Sequence, residues 1–165
     1  MMNLRGVRFP WSGRSVKKKS LMKKKEPEKK KPSERTYRGG CHCGRIRFEV
    51  RGNLERVSEC NCSICTKKGY VHWIVERGAF KLLTPSDNIA SYAFNTKTAR
   101  HLFCPNCGVA PFYIPRSDPD GFDINVRCLE GVNLVKLEYD YFDGRHWEQS
   151  IVGYNEKREQ GRAAK

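Results

Sequence analysis

The chain has 165 residues, enough for one ordinary domain, and a formal net charge of +14. It contains no apolar run near the roughly 18 residues that span a bilayer, and no apolar segment of the secretory type follows its N-terminal charges. These features argue against helical membrane proteins and secreted proteins, so we expect an intracellular chain whose thiols stay reduced.

Most of the charge lies at the N-terminus. Residues 1–38 contain 14 Lys or Arg against three acidic residues, a net charge of +11, which leaves about +3 for the rest of the chain. Lysine triplets begin at Lys17, Lys23 and Lys29, and such a segment cannot bury apolar surface. We predict a disordered basic tail over residues 1–36, a folded domain over residues 37–150 and a polar C-terminal tail over residues 151–165.

The folded segment consists mainly of short apolar or alternating runs between turn residues, the pattern of an all-β domain. Residues 46–50 alternate apolar and polar, as a strand with one buried face does. Further strands are predicted over residues 70–75, 80–83, 89–94, 99–103, 110–114, 123–128 and 136–142. We expect one helical turn at residues 66–69, a hairpin-type turn at Asp143-Gly144 and no long amphipathic helix.

Seven of the eight cysteines lie in three short clusters. These are Cys41-His42-Cys43, Cys60-Asn61-Cys62-Ser63-Ile64-Cys65 and Cys104-Pro105-Asn106-Cys107-Gly108. A disulfide within Cys-x-Cys is strained, and seven clustered cysteines cannot all pair with one another. Thiolates packed this closely repel unless a soft cation lies between them, so the clusters predict metal sites, with zinc as the expected metal.

The spacing divides the seven cysteines into a set of four and a set of three. The pairs Cys41/Cys43 and Cys104/Cys107 are each incomplete alone and together supply four ligands, which predicts a closed structural zinc site. Gly108 permits the tight turn of a zinc knuckle.

The remaining cysteines, Cys60, Cys62 and Cys65, can wrap a second ion within one loop. Three thiolates leave one coordination position open, as in catalytic zinc sites. The alternative is a structural site that a fourth ligand closes, such as Glu59 or a histidine. His72 and His101 are candidates for that ligand or for a proton relay, although an ordinary core or surface histidine is the simpler interpretation.

Other residues carry weaker signals. Cys128 is predicted to be a small buried side chain. We interpret Asp118, Asp120 and Asp123 as a solvated turn, because the pattern of a calcium loop is incomplete. Core positions are predicted for the aromatic residues Trp73, Phe112, Tyr113 and Trp147.

The three clusters, in this order, resemble the glutathione-dependent formaldehyde-activating enzyme family, which also contains centromere protein V. The similarity lies in Gly39-Gly40-Cys41-His42-Cys43-Gly44, in the run from Cys60 to Cys65, and in Phe103-Cys104-Pro105-Asn106-Cys107-Gly108. It covers about residues 36–150. The stretch from Cys60 to Tyr70 and the basic tail look more like the centromere protein V branch than like the bacterial enzymes.

The resemblance implies an all-β, Mss4-like (β-tent) fold of folded-over antiparallel sheets that binds two zinc ions. Four cysteines would hold the structural zinc and three the catalytic-type zinc: Cys41, Cys43, Cys104 and Cys107, then Cys60, Cys62 and Cys65. The implied activity is that of a carbon–sulfur lyase acting on thiol–aldehyde adducts such as S-hydroxymethylglutathione. Lys67 and Lys68 are candidates to hold the carboxylates of glutathione, although two lysines on a turn are more commonly just solvated.

The tail supports an alternative from a different class. Clustered lysines bind polyanions by counterion release, so DNA, chromatin and microtubules are candidate partners of a non-catalytic protein. The tail can also act only as a nuclear-import signal or as a leader without a partner. We expect a nuclear or cytoplasmic location, with mitochondria as the second choice because residues 1–25 are basic and contain no acid.

Overall fold

The structure is a computed structural model that describes residues 34–163, with side chains to residue 156, so most of the predicted basic tail lies outside the described residues. The strands are β1 (Arg35–Gly40), β2 (Arg47–Gly52), β3 (Arg56–Cys60), β4 (His72–Glu76), β5 (Phe80–Leu82), β6 (Ala90–Tyr92), β7 (His101–Phe103), β8 (Phe112–Tyr113), β9 (Gly121–Asn125) and β10 (Glu138–Phe142). The α-helices are α1 (Ser63–Lys68) and α2 (Trp147–Ala163). No helix in this part of the chain has the length and apolar character that crossing a bilayer requires.

The strands form three sheets. One has the order β1-β2-β5, a second the order β10-β3-β4-β9-β8, and the third pairs β6 with β7. All pairs are antiparallel except β10 with β3, which run parallel in the register Phe142 to Cys60. Because β10 is an edge strand that ends level with Cys60, the segment after it reaches the beginning of the second cysteine cluster.

The core lies between the three-stranded and the five-stranded sheet. Alternation from Ile46, the residue before β2, through the strand places Ile46, Phe48 and Val50 inward, each 0% exposed. Phe48 meets Phe112 of β8 edge-to-face, with ring centroids 5.4 Å apart. Tyr37 of β1 meets the Trp73 ring of β4 at 5.5 Å. These contacts join the faces of two sheets, which confirms the predicted all-β architecture of folded-over sheets.

Several local predictions differ from the structure. β1 begins at Arg35, inside the predicted tail, and β3 was not predicted because charged or polar residues surround Val57, its only fully buried side chain. The predicted hairpin at Asp143-Gly144 is wrong, since β10 pairs in parallel with β3 and leads instead into a short 3-10 turn and then α2. That 17-residue helix occupies the predicted polar tail, where the sequence lacks an apolar face that would have revealed it.

Candidate metal centres

Two turns bring the first four cysteines together. Cys41 directly follows β1, and Cys104 directly follows β7. The sulfur of Cys43 lies 3.6 Å from the sulfur of Cys41 and 3.6 Å from that of Cys104. The ligand atoms of Cys41, Cys43, Cys104 and Cys107 all lie within 4.8 Å of one another. Sulfurs at the corners of a tetrahedron around zinc are about 3.8 Å apart, because the Zn–S distance is about 2.3 Å, so this cluster fits the ion.

The backbone around this cluster is arranged as two knuckles. In the second knuckle the N–H of Gly108 donates to the Cys104 carbonyl at 2.8 Å, and Gly108 has a φ of 73° that favours glycine. In the first, the N–H of Ile46 donates to the Cys41 sulfur at 3.2 Å. A backbone N–H bond from Arg45 lowers the pKa of Cys43 to about 6. These amide contacts favour thiolates, the form that binds metal, whereas burial raises the pKa of Cys41 to about 11 in the absence of an ion.

The second cluster is built from a strand end and a helix start. Cys60 is the last residue of β3, Cys62 is the N-terminal capping residue of α1, and Cys65 lies within α1. Their three sulfurs lie within 4.8 Å of one another. No histidine, cysteine, aspartate or glutamate from the described residues joins them as a fourth donor. This donor set also fits zinc, with three protein ligands and one position left for another group.

The three thiols of this cluster affect one another strongly. Hydrogen bonds from Cys60 and Cys65 lower the pKa of Cys62. The same proximity, together with burial, raises the pKa of Cys65. Without a cation, therefore, ionisation of one thiol makes ionisation of its neighbours less favourable. A bound cation offsets the repulsion and allows all three cysteines to be thiolates.

The segment after β10 is fastened to this loop. Asn61, between Cys60 and Cys62, donates from Nδ2 to Asp143 Oδ1 at 2.7 Å. Its Oδ1 accepts from the backbone N–H of Arg145 at 3.0 Å. A Cβ placed on Gly144 would lie 2.4 Å from the Cys60 sulfur and 2.9 Å from the Cys62 Cβ. We call residues 143–145 the latch. Only glycine fits at its central position, and Asp143 and Arg145 on either side are hydrogen-bonded to Asn61 of the cysteine loop.

A cleft of about 280 Å³ adjoins the second cluster. It is lined by Glu59, Cys60, Asn61, Cys65, Thr66, Gly69, Tyr70, Arg127 and Tyr141. The guanidinium of Arg127 donates from Nε to the Gly69 carbonyl at 2.9 Å, and its Nη2 lies 3.9 Å from a carboxylate oxygen of Glu59. The cleft therefore presents one cation and one anion beside two of the three cysteines, Cys60 and Cys65.

A buried polar group lies behind the same cluster. Asp123 is 1% exposed, and its Oδ2 pairs with Nδ1 of His72, itself 5% exposed, at 2.9 Å. The rings of Tyr70 and His72 stack at 5.0 Å, and Tyr113 packs edge-on against Tyr70 at 5.3 Å. Three buried atoms here have no hydrogen-bond partner among the described residues: Tyr70 Oη, His72 Nε2 and Asp123 Oδ1.

None of the other residues that the sequence suggested for the second site contributes a metal-binding atom to it or a cation to the cleft. Glu59, His72 and His101 do not join the three-sulfur group, so none of them is its fourth ligand in this structure. Lys67 is exposed and Lys68 half-buried, and neither lines the cleft. The cleft cation is Arg127, which sequence reasoning missed because it lies 62 positions after Cys65, on a 3-10 turn beyond β9.

The interpretation of Asp123 as part of a solvated turn is wrong, since β9 carries its side chain into the core. Four of the five residues of β9 are buried, so both faces of this strand are covered, and no sequence pattern distinguishes its buried Asp123 from the acidic residues of the preceding turn. Cys128 is half-buried on the turn that follows β9, and His42 is exposed between two ligands. Trp73 and Phe112 are buried as predicted, whereas Tyr113 and Trp147 are only half-buried.

Comparison with known proteins identifies the family. The family described as "Glutathione-dependent formaldehyde-activating enzyme" matches residues 36–144, about two thirds of the sequence. The chain belongs to this family. The crystal structure of a Rhodobacter sphaeroides protein is also similar, with 31% sequence identity and a TM-score of 0.55; the similarity covers 62% of this chain and 99% of that one.

The matched span of the formaldehyde-activating enzyme family contains both cysteine clusters. It includes all seven clustered cysteines, and it ends at Gly144, the latch residue that packs against Cys60. The basic tail and most of α2 lie outside it. The formaldehyde-activating enzyme family predicted from the sequence is therefore confirmed, and both candidate metal centres belong to the part of the chain that matches it.

Proposed function

We propose that this protein binds two zinc ions and catalyses carbon–sulfur bond formation or cleavage between a small thiol and an aldehyde. The observation that carries the proposal is the second cluster: three sulfurs, no fourth side-chain donor from the described residues, and a cleft beside them. A zinc site with three protein ligands leaves a position for substrate. In the same chain the four-cysteine cluster has a full set of ligands, so its role is to hold the fold.

Zinc in the three-cysteine site would supply positive charge that holds a substrate sulfur as thiolate, the nucleophilic form. Cys60, Cys62 and Cys65 would hold the ion. The latch keeps their loop in place through Asn61. The cleft admits the thiol from the side lined by Cys60 and Cys65.

The charged pair in the cleft favours a thiol that carries both a carboxylate and an ammonium group. Arg127 offers a planar guanidinium, which suits a carboxylate, and Glu59 offers an anion 3.9 Å away. Glutathione has this combination of charges at its γ-glutamyl end. We therefore assign carboxylate binding to Arg127 instead of Lys67 and Lys68, with the S-hydroxymethyl adduct of glutathione as the expected product from formaldehyde.

The experiment is an assay of adduct formation between glutathione and formaldehyde by zinc-loaded protein, compared with Cys62→Ser. We expect a rate above the uncatalysed one that the substitution abolishes. Cys128→Ser is the matched control, because it removes a thiol that is not in either cluster. A wild-type rate equal to the uncatalysed rate, or one that survives Cys62→Ser, contradicts the proposal.

Arg127→Lys tests the substrate assignment separately. A lysine keeps the charge and loses the two-pronged geometry, so KM for glutathione should rise while KM for a thiol without a carboxylate should stay unchanged. Lys67→Ala is the control, since Lys67 is exposed and does not line the cleft. Equal effects on both thiols contradict the role of Arg127.

The charge of the tail favours a second candidate function. With a net charge of +11 over residues 1–38, the tail is suited to polyanions. We propose that the chain is related to the centromere protein V branch and associates with DNA, chromatin or microtubules in the nucleus or cytoplasm. In that case the zinc domain serves as an interaction module.

Deletion of residues 1–33 tests this candidate, because it leaves β1 whole. Binding to DNA and to microtubules would be measured over a salt series. We expect steep salt dependence in the full chain and loss of binding in the truncated one. A full-length variant with Gln at the nine positions of the three lysine triplets is the control for chain length. Binding that persists in both variants rules out the tail as the binding element.

A further inference from the structure

The two-stranded sheet of β6 and β7 has an aromatic face that points away from the main core. Its register pairs Tyr92 with His101 and Ala90 with Phe103, and residues directly opposite each other on paired strands share a face. Leu102 alternates to the other side, where it is 9% exposed and belongs to the main core. The side chains of Tyr92, His101 and Phe103 therefore lie together on the face that the main core does not cover.

Four rings on this side of the molecule are stacked in sequence. Tyr92 and Phe94 have ring centroids 5.7 Å apart and planes inclined by 19°. The Phe94 and His101 rings follow at 5.5 Å and 21°, and the His101 and Tyr113 rings at 5.0 Å and 11°. Exposure rises from 5% at His101 to 39% at Phe94 and 52% at Tyr92. We call these four rings the ladder; it is fixed in the protein at its inner end and exposed at Tyr92.

The chain that forms the ladder carries positive charge and no carboxylate side chain. No Asp or Glu occurs between Asp87 and Asp118 in the sequence, whereas Lys97 and Arg100 lie in this span. Both of these basic residues are exposed. The exposed rings at the outer end of the ladder therefore belong to a cationic segment, which favours a partner that combines negative charge with flat rings.

The fold places one cationic residue next to the ladder and another on the same aromatic face. The backbone N–H of Lys97 donates to the Phe94 carbonyl at 3.0 Å. Lys97 has a φ of 58° and Asn95 a φ of 51°, in the left-handed region that lysine rarely adopts, and strained backbone of this kind concentrates at functional sites. Nζ of Lys68, on α1, lies 5.8 Å from the centre of the Phe103 ring.

We propose that the ladder binds single-stranded nucleic acid: a base stacks on the exposed ring of Tyr92, and Lys97 and Lys68 contact phosphates. Proteins that bind single strands combine aromatic rings, on which bases stack, with cations that follow the backbone. A duplex cannot use the ladder in this way, because its bases are already stacked on one another. The inference goes beyond the proposed functions, since it uses neither the three-cysteine site nor the basic tail.

The geometry of the ladder favours this partner over other anionic ones. An anionic membrane also attracts cations and exposed aromatic side chains, but it has no use for rings held nearly parallel to one another. An acidic protein surface would contact Lys97 and leave the stacked rings without a role. A base extends a stack of parallel rings by one more ring, and the phosphate that accompanies it supplies the charge that the lysines require.

The first experiment measures binding of a labelled oligothymidylate of about 12 nucleotides. All proteins are full-length and carry Gln at the nine positions of the three lysine triplets, so that the tail contributes little. Tyr92→Leu keeps an apolar side chain and removes the ring, and it should weaken binding about tenfold. Tyr139→Leu is the matched control, because Tyr139 is a tyrosine of similar exposure, 45%, on the distant edge strand β10. Equal affinities of the two variants overturn the inference.

The same titrations over a salt series separate the ring from the charge. Lys97→Gln should make the slope of log Kobs against log salt concentration shallower by about 0.7, and Tyr92→Leu should leave that slope unchanged. Lys81→Gln, which removes an exposed lysine of β5 in another sheet, is the control. Two results contradict a single-stranded partner. One is that Tyr92→Leu weakens binding to a duplex of the same length equally. The other is that it weakens only binding to vesicles containing phosphatidylserine.

The second experiment uses the wild-type chain and needs no substitution. Nitrogen-15 NMR spectra recorded during addition of the oligothymidylate should show shifts of the backbone amides of residues 90–103. Shifts confined to residues 1–33 would mean that the tail alone binds, which overturns the inference. Shifts at residues 90–103 that persist in the variant with nine glutamines support the ladder, even if the tail binds nothing. The assay of thiol–aldehyde chemistry has no bearing on either result.

Discussion

The two cysteine clusters differ in how far apart in the chain their ligands lie. In the four-cysteine cluster, Cys43 and Cys104 are separated by 61 residues, and the cluster ties the end of β1 to the end of β7. The three-cysteine cluster comes from six consecutive residues. Its position depends on the elements that contact it, namely β3, which ends at Cys60, and the latch, which is hydrogen-bonded to Asn61.

This difference implies a division of labour. An ion that joins distant segments stabilises the folded state as a whole, because the unfolded chain has no such site. An ion held by one loop at the end of β3 would contribute little to the rest of the fold and would remain accessible. Under the proposed function, cysteine would therefore serve stability in one place and chemistry in the other.

Of the substitutions considered, Cys104→Ser should have the largest effect on stability. Cys104 is fully buried in the core, and loss of its metal should lower the free energy of unfolding by more than about 4 kcal/mol. Chemical denaturation and zinc analysis measure this effect. Cys62→Ser is the counterpart: it should remove one zinc and lower the free energy of unfolding by no more than about 2 kcal/mol. Equal losses of stability would show that the two sites do not differ in role.

Gly144→Ala should affect only the second cluster. The new Cβ would lie 2.4 Å from the Cys60 sulfur, so the latch or the loop must move, and zinc affinity at that cluster should fall about 10–100-fold. Competition with a chelator measures the affinity. Gly78→Ala is the control, because nothing lies within 4 Å of its added Cβ. Unchanged affinity in Gly144→Ala would mean that the latch does not constrain the loop.

Asn61→Ala removes two of the hydrogen bonds that hold the latch to the loop, to Asp143 and to Arg145. We expect about tenfold weaker zinc binding at the second cluster and no change at the first, measured by the same chelator competition. Asn133→Ala is the matched control: it removes a side-chain bond to the Val135 N–H of 3.1 Å that lies outside both clusters. If both variants bind zinc equally, the latch is not a support of the metal site.

The pH dependence of stability should show the smallest effect. The folded state raises the pKa of His72, so the stability that its protonation contributes is present in acid and is lost as the pH rises through the folded pKa. The difference in Tm between wild type and His72→Gln should therefore shrink from about pH 5 to pH 8. A pH-independent difference would mean that His72 is not protonated in the folded protein.

The sequence was sufficient to predict the features that depend on spacing alone. The grouping of the cysteines and the inward face of Ile46, Phe48 and Val50 follow from local patterns, and the structure has both. The latch could not be predicted, because the residue pair Asp143-Gly144 is typical of a hairpin turn. Only the parallel pairing of β10 with β3 shows that these residues lie beside the second cluster. Arg127 and Asp123 were missed for the same reason: only the fold brings β9 beside the second cluster.

The parallel pairing of β10 with β3 also orders events during synthesis. All four ligands of the first cluster have left the ribosome once residue 107 has emerged, so that centre can close while the rest of the chain is still being made. The second cluster has its cysteines earlier, by residue 65, yet the latch that holds its loop arrives only with residues 143–145. The site assigned to chemistry is therefore the last to be completed, after the site that secures the fold.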